Sequence, residues 1–338
     1  MKSKASHHKS VAKVLRVDCA NENHQIVKNG FYMVNGIKVD VQEELQSSID
    51  KSIHYHYNHR FPVIKQKKEV YETRFHVVNC GVIQAAMDIH NSFRPSSATI
   101  SDSSTINATM NNHIGILNFA SAKNPGGGYL KGATAQEESI CRSSLLFPSL
   151  QKYEDMKDHY YQINRNKGKG FGTLYSNCAI FSPLVPIIRD DGPNTNLLEE
   201  TFLASFVTSP APNKSAIIQQ NKNRTKSGKR NANVEGNLIS STDNQELQNI
   251  MIQRIKTILN IFEVNGCTDL ILGAFGCGVF GNDPEFVSAI FHQVIREDYE
   301  GVFQSVTFAI WTPPNCQNPM EDPNYSAFMK QFFMYGDN

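Results

Sequence analysis

Charge of neither sign is in excess, since 33 Lys and Arg stand against 32 Asp and Glu in 338 residues. A chain so balanced has no overall field to draw it onto nucleic acid or an anionic membrane, so a charged ligand has to be held by local structure. Paired cysteines are missing too. The seven cysteines, at 19, 80, 141, 178, 267, 277 and 316, are odd in number and include no C-x-x-C. That argues against a disulfide framework and a zinc site, and fits a reducing compartment, cytoplasmic or nuclear. No apolar run approaches the roughly 18 residues of a membrane-spanning helix, and the first residues lack the apolar core of a secretory signal. Neither a membrane nor a specific nucleic-acid sequence is an expected partner. The chain begins with Lys2, Lys4, Lys9, Lys13 and Arg16 and no acid before Asp18, which reads as a basic tail over residues 1–10.

The 40% of hydrophobic residues are enough for a sizeable core, and residues 11–338 read as one domain. In FYMVNGIKVDV, Asn35-Gly36 lies between two β-prone runs and suits the two positive φ angles of a type I′ hairpin turn. Short β-branched or aromatic runs at 75–78, 114–119, 179–181, 185–188, 204–207, 270–274 and 306–310 predict strands. Helical spacing places Leu247, Ile250, Met251, Ile255, Ile258, Leu259 and Phe262 on one face, and a second helix is expected from Pro284 to Glu297. Strands alternating with helices imply a mixed α/β layer architecture. Residues 214–244, rich in Asn, Ser, Lys and Gln, break the pattern and read as a polar surface insertion, either merely solvated or a basic arm for a polyanion.

Two glycine-rich loops carry the chemistry. After the strand IGILNFA comes SAKNPGGGYLKGATAQEES. Three consecutive glycines, Gly126, Gly127 and Gly128, forfeit backbone entropy that an ordinary turn does not require. Successive free N–H groups there would form a concave anion site, the alternative being a flexible link from strand to helix. Just beyond stand Gln136, Glu137 and Glu138, where Thr134 and Glu137 make the T-x-x-E pattern of a capping box. The cap needs only one acid, which leaves Glu138 for chemistry. Neighbours on a helix point about 100° apart, so the pair is not expected to flank one bond as glycosidase carboxylates do.

The second loop, GAFGCGVFGNDP, spells G-x-G-x-x-G at Gly276, Gly278 and Gly281. In a dinucleotide-binding fold the helix opens inside that motif. Here Asp283 is a natural N-cap and Pro284 a natural first helical residue, so the helix starts after the glycines. That reads as a cradle for a diphosphate with Phe280 exposed at its tip, the alternative being Phe280 as core. His54, His56 and His59 have spacing that could hold a metal but no supporting cluster, so they read as surface histidines. Cys277 has no identifiable base and reads as a small residue beside a backbone-binding loop.

Three glycines, seven residues, then QEE resembles the signature of poly(ADP-ribose) glycohydrolases. NFASAKNPGGGYLKGATAQEES, IIRDD, VTSPAPN and GAFGCGVFGNDP resemble, in order, the microbial branch of that family. The likeness runs from about Val11 to Trp311 without the polar insertion. The resemblance implies a macrodomain-like fold, three α/β/α layers with a mixed sheet, and ADP-ribose in a cleft at the strand ends. It implies that Glu138 is catalytic and that Glu137 binds ribose hydroxyls. Asn118 and Asn124 become ribose ligands, and Gly126, Gly127, Gly128 and Gln136 lie along the ADP-ribose. Gly276, Cys277, Gly278, Val279, Phe280, Gly281 and Asn282 cover the diphosphate, with Phe280 orienting the terminal ribose. It implies no metal and no organic cofactor, and poly(ADP-ribose) or ADP-ribosylated protein as the substrate. A mono-ADP-ribosyl hydrolase and a non-catalytic ADP-ribose reader stay open at this point.

Overall fold

The structure is a computed structural model that describes residues 2–61, 71–93, 113–166, 171–226 and 241–334. In chain order the main elements are α1 Lys2–Asn29, β1 Phe31–Val34, β2 Ile37–Asp40, α2 Gln42–Lys51, β3 Ile53–Tyr55, β4 Arg74–Val78, α3 Val82–Ser92 and β5 His113–Phe119. Then come α4 Gln136–Ser143, α5 Phe147–Gln151, α6 Tyr160–Arg165, β6 Ala179–Arg189, β7 Leu197–Ser209, α7 Lys214–Lys226 and α8 Ser241–Val264. The chain continues through β8 Cys267–Leu272, α9 Pro284–Asp298, β9 Ser305–Ala309 and α10 Pro323–Met329.

β1 and β2 form the expected hairpin, with Asn35 at φ 48° and Gly36 at φ 80°. The remaining strands form one seven-stranded sheet in the order β3-β6-β7-β5-β8-β9-β4. β7, β5, β8, β9 and β4 run parallel to one another, while β6 pairs antiparallel with both β7 and β3 at one edge. Side chains alternate across the sheet with the period of two that strands impose. Ile114 and Ile116 face one core with Ile83, Ile140 and Leu145. Leu117, Leu270 and Leu272 face the other with Met251, Ile255, Phe262 and Phe291 from α8 and α9. Two cores separated by one sheet make the three-layer α/β/α architecture that the sequence implies.

Some elements differ from the expectations or add to them. The runs 179–181 and 185–188 belong to one strand, β6, in which Pro183 is absorbed by a bulge between Ser182 and Val185 with Leu184 at φ 47°. β3, which carries His54, has no strand signal strong enough to read among its polar neighbours and exists because it pairs with β6. The stretch read as a basic tail has a helical backbone that continues through α1 to Asn29. Residues 227–240 of the expected insertion lie outside the described residues, and its flanks are the helix α7 and the first turn of α8.

α1 is fixed by polar groups as much as by apolar ones. Asn23 is buried, donates from Nδ2 to the carbonyls of Cys141 and Arg142 at 3.2 and 2.8 Å, and accepts at Oδ1 from Arg189 Nε at 2.9 Å. Arg189 also donates to Glu22 at 2.5 Å. The last carbonyls of a helix have no intrahelical partner, so Asn23 of α1 serves as the end cap of α4. Asn23→Ala strands those carbonyls and is expected to destabilise the protein by about 1–3 kcal/mol, measured as a lower denaturant midpoint with an unchanged m-value.

Candidate active site

The parallel strands end together, and ligands of open α/β sheets bind outside the carboxyl ends of such strands. Here a cleft of about 1100 Å³ lies in that place. It is lined by Ala120–Asn124 after β5, Ala211 after β7, Ala274, Gly276, Gly278, Val279 and Phe280 after β8, Ile310 and Trp311 after β9, and Cys80 to Val82 after β4. Glu137 and Glu138, in the first turn of α4, form part of its floor.

The start of α4 is locked to β5 by one side chain. Gln136 Nε2 donates to Leu117 O at 2.9 Å, and its Oε1 accepts from Phe119 N at 2.7 Å. Gln136 therefore completes the strand's backbone pairing as a neighbouring strand would. The helix begins at Gln136 with Ala135 as its N-cap and no side-chain cap, which corrects the capping-box expectation. One residue of displacement turns Glu137 inward instead of back along the chain. Its Oε2 accepts from Ser121 N at 2.7 Å and its Oε1 from Asn118 Nδ2 at 3.3 Å.

The triple-glycine loop also differs from its reading as an open anion site. Gly127 N donates to Asn124 O at 3.0 Å, Gly128 N donates to Glu138 Oε1 at 2.8 Å, and the Gly126 N–H faces Glu137. The groups that this loop cradles are the protein's own two carboxyl groups. Gly127 stands at φ 57°, and a Cβ on it would lie 2.6 Å from Glu138 Oε1 and 3.2 Å from Glu137 Oε2. Both carboxyl groups thus converge on one α-carbon although they are adjacent on the helix. The far end of the loop is tied down by Arg16 Nε on Gly132 O at 2.7 Å and Arg142 Nη1 on Ala133 O at 2.8 Å.

Glu138 is 7% exposed, and its Oε2 is buried without a hydrogen-bond partner among the described residues. Glu137 is more deeply enclosed. Burial, reinforced by the charge of Glu138, pushes its carboxyl up to about 8 against the opposing N–H donors of Ser121 and Asn118. Glu137 is then mostly protonated at neutral pH, and Glu138 does not face a second full negative charge.

The second loop is built differently. Gly281 N donates to Gly278 O and Asn282 N to Gly276 O, which closes the loop on itself. The N–H groups of Gly278, Val279 and Phe280 donate to no protein acceptor among the described residues, and all three residues line the cleft. Successive unpaired N–H groups in a loop make a concave site for an anion. The helix that follows begins as the sequence predicts, with Asp283 capping Glu285 N at 2.9 Å and Pro284 in the first turn of α9.

Asn124, Gln136, Glu137, Glu138, Gly276, Gly278, Val279 and Phe280 therefore meet at one cleft. Others among the expected site residues act from behind it. Asn118 is fully buried and gives its amide to Glu137 and to Thr208 Oγ1 at 3.1 Å. Asn282 is buried as well and clamps the second loop through Pro212 O and Gly276 O. Phe280 is half-buried, its ring 5.9 Å from that of Tyr175, and the residue at the exposed tip is Val279. For Cys277, burial and Asp283 push the thiol up to about 12, which leaves almost no thiolate for nucleophilic chemistry. His54 packs on His159 with ring centroids 4.8 Å apart, away from the cleft. Among the described residues no His, Cys, Asp and Glu cluster could hold a metal ion, and no helix is long and apolar enough to cross a membrane.

Tyr175, Asp191 and Trp311 line the cleft without being singled out by the sequence. Asp191 accepts from Ile83 N at 3.2 Å at the start of α3, a pairing 108 residues apart in the chain. Only the IIRDD segment hinted at it, and nothing local marks the other two.

The elevated carboxyl of Glu137 has a consequence for stability. An unfolded glutamate titrates near 4.5 and the folded one near 8, so between those values the native state holds a proton that the unfolded chain has lost. Stability conferred by this group is therefore complete below about 4.5 and falls as pH rises to about 8. Melting temperatures of wild type and Glu137→Gln taken from pH 5 to 8 are expected to show a steeper decline for wild type. Parallel curves would mean that Glu137 is ionised throughout.

The model of the family described as microbial-type PARG, catalytic domain, matches residues 20–190. No curated protein sequence matches. Among solved structures, poly(ADP-ribose) glycohydrolase from Thermomonospora curvata is similar at 29% identity and a TM-score of 0.72, with 94% of this chain and 99% of that one covered. The same enzyme bound to the inhibitor ADP-HPD is 30% identical over the same shares, with a TM-score of 0.70. The glycohydrolase from Deinococcus radiodurans in complex with ADP-ribose is similar at 27% identity and a TM-score of 0.64, covering 90% of this chain and all of that one. The likeness extends over nearly the whole chain and over the sheet that carries the cleft, and the protein belongs to the microbial-type poly(ADP-ribose) glycohydrolase family.

Proposed function

We propose that this protein hydrolyses the ribose–ribose glycosidic bond of poly(ADP-ribose), releasing ADP-ribose, with Glu138 as general acid and base. One observation carries the assignment. Gly128 N–H donates to Oε1 of Glu138, a residue that lines the cleft, while Oε2 has no hydrogen-bond partner among the described residues. One oxygen is thereby fixed by the backbone, which leaves the other to pass a proton to and from a ligand. Membership of the family and the ADP-ribose and ADP-HPD complexes of its relatives support the substrate class.

In the forward step Glu138 gives its proton to the departing ribose oxygen, which would otherwise leave as an unstable alkoxide. The sugar develops oxocarbenium character as that bond breaks. Water then adds to the anomeric carbon and returns a proton to the Glu138 carboxylate, restoring the acid. Glu137, neutral and held by Asn118 and Ser121, binds ribose hydroxyls without adding charge beside Glu138. Asn124 faces the same ribose, and the half-buried ring of Phe280 packs against it. The free N–H groups of Gly278, Val279 and Phe280 take the diphosphate. Gly126, Gly127 and Gly128 act through the two glutamates rather than on the ligand.

Glu138→Gln preserves shape but can neither donate a carboxylic proton nor activate water. It is expected to lower kcat for polymer cleavage by roughly 100- to 10,000-fold, with calorimetric affinity for ADP-ribose held within about threefold. Substantial cleavage by that variant would remove Glu138 from the role. Gly127→Ala tests the same geometry from the loop. Its methyl group displaces both carboxyls, so kcat should fall sharply while circular dichroism and the bulk of the melting temperature are retained. Comparing polymer with mono-ADP-ribosylated protein in the same assays reads out the substrate preference.

A further inference from the structure

Arg254 lies in the middle of α8 and is fully buried. Its Nε donates to Asn177 Oδ1 at 2.7 Å, its Nη2 to Leu174 O and Tyr175 O at 3.2 Å each, and its Nη1 to Pro210 O. Every acceptor is a neutral carbonyl or amide oxygen. Among the described residues no carboxylate pairs with it, in contrast to Arg189, which meets Glu22. Buried charges are ordinarily paired because an isolated one is costly to remove from water. Arg254 is the most deeply buried of the three buried arginines among the described residues, ahead of Arg189 and Arg142, and all of its partners are neutral.

Its position suggests what it faces. Tyr175 and Ala211 line the cleft, and the guanidinium grips the carbonyl of Tyr175 and that of Pro210, one residue before Ala211. Both segments lead to the second glycine loop. The Tyr175 ring packs on Phe280, and Pro212 O receives the amide of Asn282, which also holds Gly276 O. Arg254 is thus the hub on which the wall beside Gly278, Val279 and Phe280 is hung. It carries a charge that nothing else in the wall neutralises, in a region where low dielectric extends its reach.

We propose that Arg254 is a positioning residue that gives the cleft its preference for a diphosphate: it sets the wall of the second loop and supplies an uncompensated positive charge behind it, without touching substrate. The balanced net charge of the chain leaves the field in the cleft to local sources, of which Arg254 is one. The inference rests on the reading that the second loop holds the diphosphate.

Calorimetric affinities of the full chain for ADP-ribose and for adenosine, which has no phosphate, separate the two ideas when measured from low to high salt. Wild type should bind ADP-ribose more tightly than adenosine, with an advantage that shrinks as salt is added. Arg254→Gln, which keeps donors for the carbonyls but no charge, should lose at least about tenfold in ADP-ribose affinity and flatten its salt dependence. Its adenosine affinity should be unchanged. Arg254→Lys should restore most of the salt-dependent part. Arg254→Met serves as a second neutral variant if the glutamine variant folds poorly, since apolar replacement of a buried charge is frequently tolerated. Equal losses for both ligands, or equal losses in the lysine and glutamine variants, would make Arg254 a structural clamp only. A wild type whose ADP-ribose binding shows neither advantage nor salt dependence would instead overturn the diphosphate reading and this proposal with it.

Discussion

The active site hangs on the two hydrogen bonds that Gln136 makes to the backbone of β5. A helix of eight residues is too short to persist alone, and α4 stands because both of its ends are tied to other elements. At its start, Gln136 takes the place of a strand neighbour at Leu117 and Phe119. At its end, Asn23 reaches across from α1 to the carbonyls of Cys141 and Arg142. Between those anchors Ile140 and Cys141 are fully buried, so the rotation of the helix about its axis is set. With the rotation set, Glu137 falls beneath Ser121 and Glu138 beneath Gly128.

The two glycine loops solve different problems with the same chemistry. The first turns its N–H groups inward and fixes two carboxylates that would otherwise choose among rotamers. The second has three N–H groups without an acceptor among the described residues and is held in shape from behind, by Asn282 on its own backbone and by Ser215 N, which donates to Phe280 O at 2.9 Å. The contact from Ser215 also gives a place to the start of α7, so the flank of the polar stretch belongs to the wall of the site. One loop thus organises the carboxyl pair, and the other turns N–H groups toward the cleft.

Much of the frame was legible because it depends on local periodicity and turn chemistry. The Asn35-Gly36 hairpin, the alternating cores of β5 and β8, the apolar face of α8 and the Asp283-Pro284 start of α9 all follow from residues within one or two turns of each other. β3 and α1 were not, since β3 is held by pairing with β6 and α1 is held by Asn23, Arg16 and Arg189 at positions more than 100 residues from their partners. The capping-box reading of Thr134 and Glu137 failed for a related reason. A local cap competes with burial of Glu137 against Ser121 and Asn118, and the tertiary contacts won.

The order of residues by itself determined that a glycine triplet would precede two adjacent acids, that a second glycine loop would end at Asp283, and, through family resemblance, that the chain acts on poly(ADP-ribose). It also determined the alternation that makes a three-layer fold. Only the tertiary structure decided which oxygen of Glu138 is free, that Glu137 is buried far enough to hold a proton near neutral pH, and that Asn118 and Asn282 work behind the cleft. Those outcomes depend on burial and on partners distant in the chain, and neither quantity is written in a stretch of neighbouring residues.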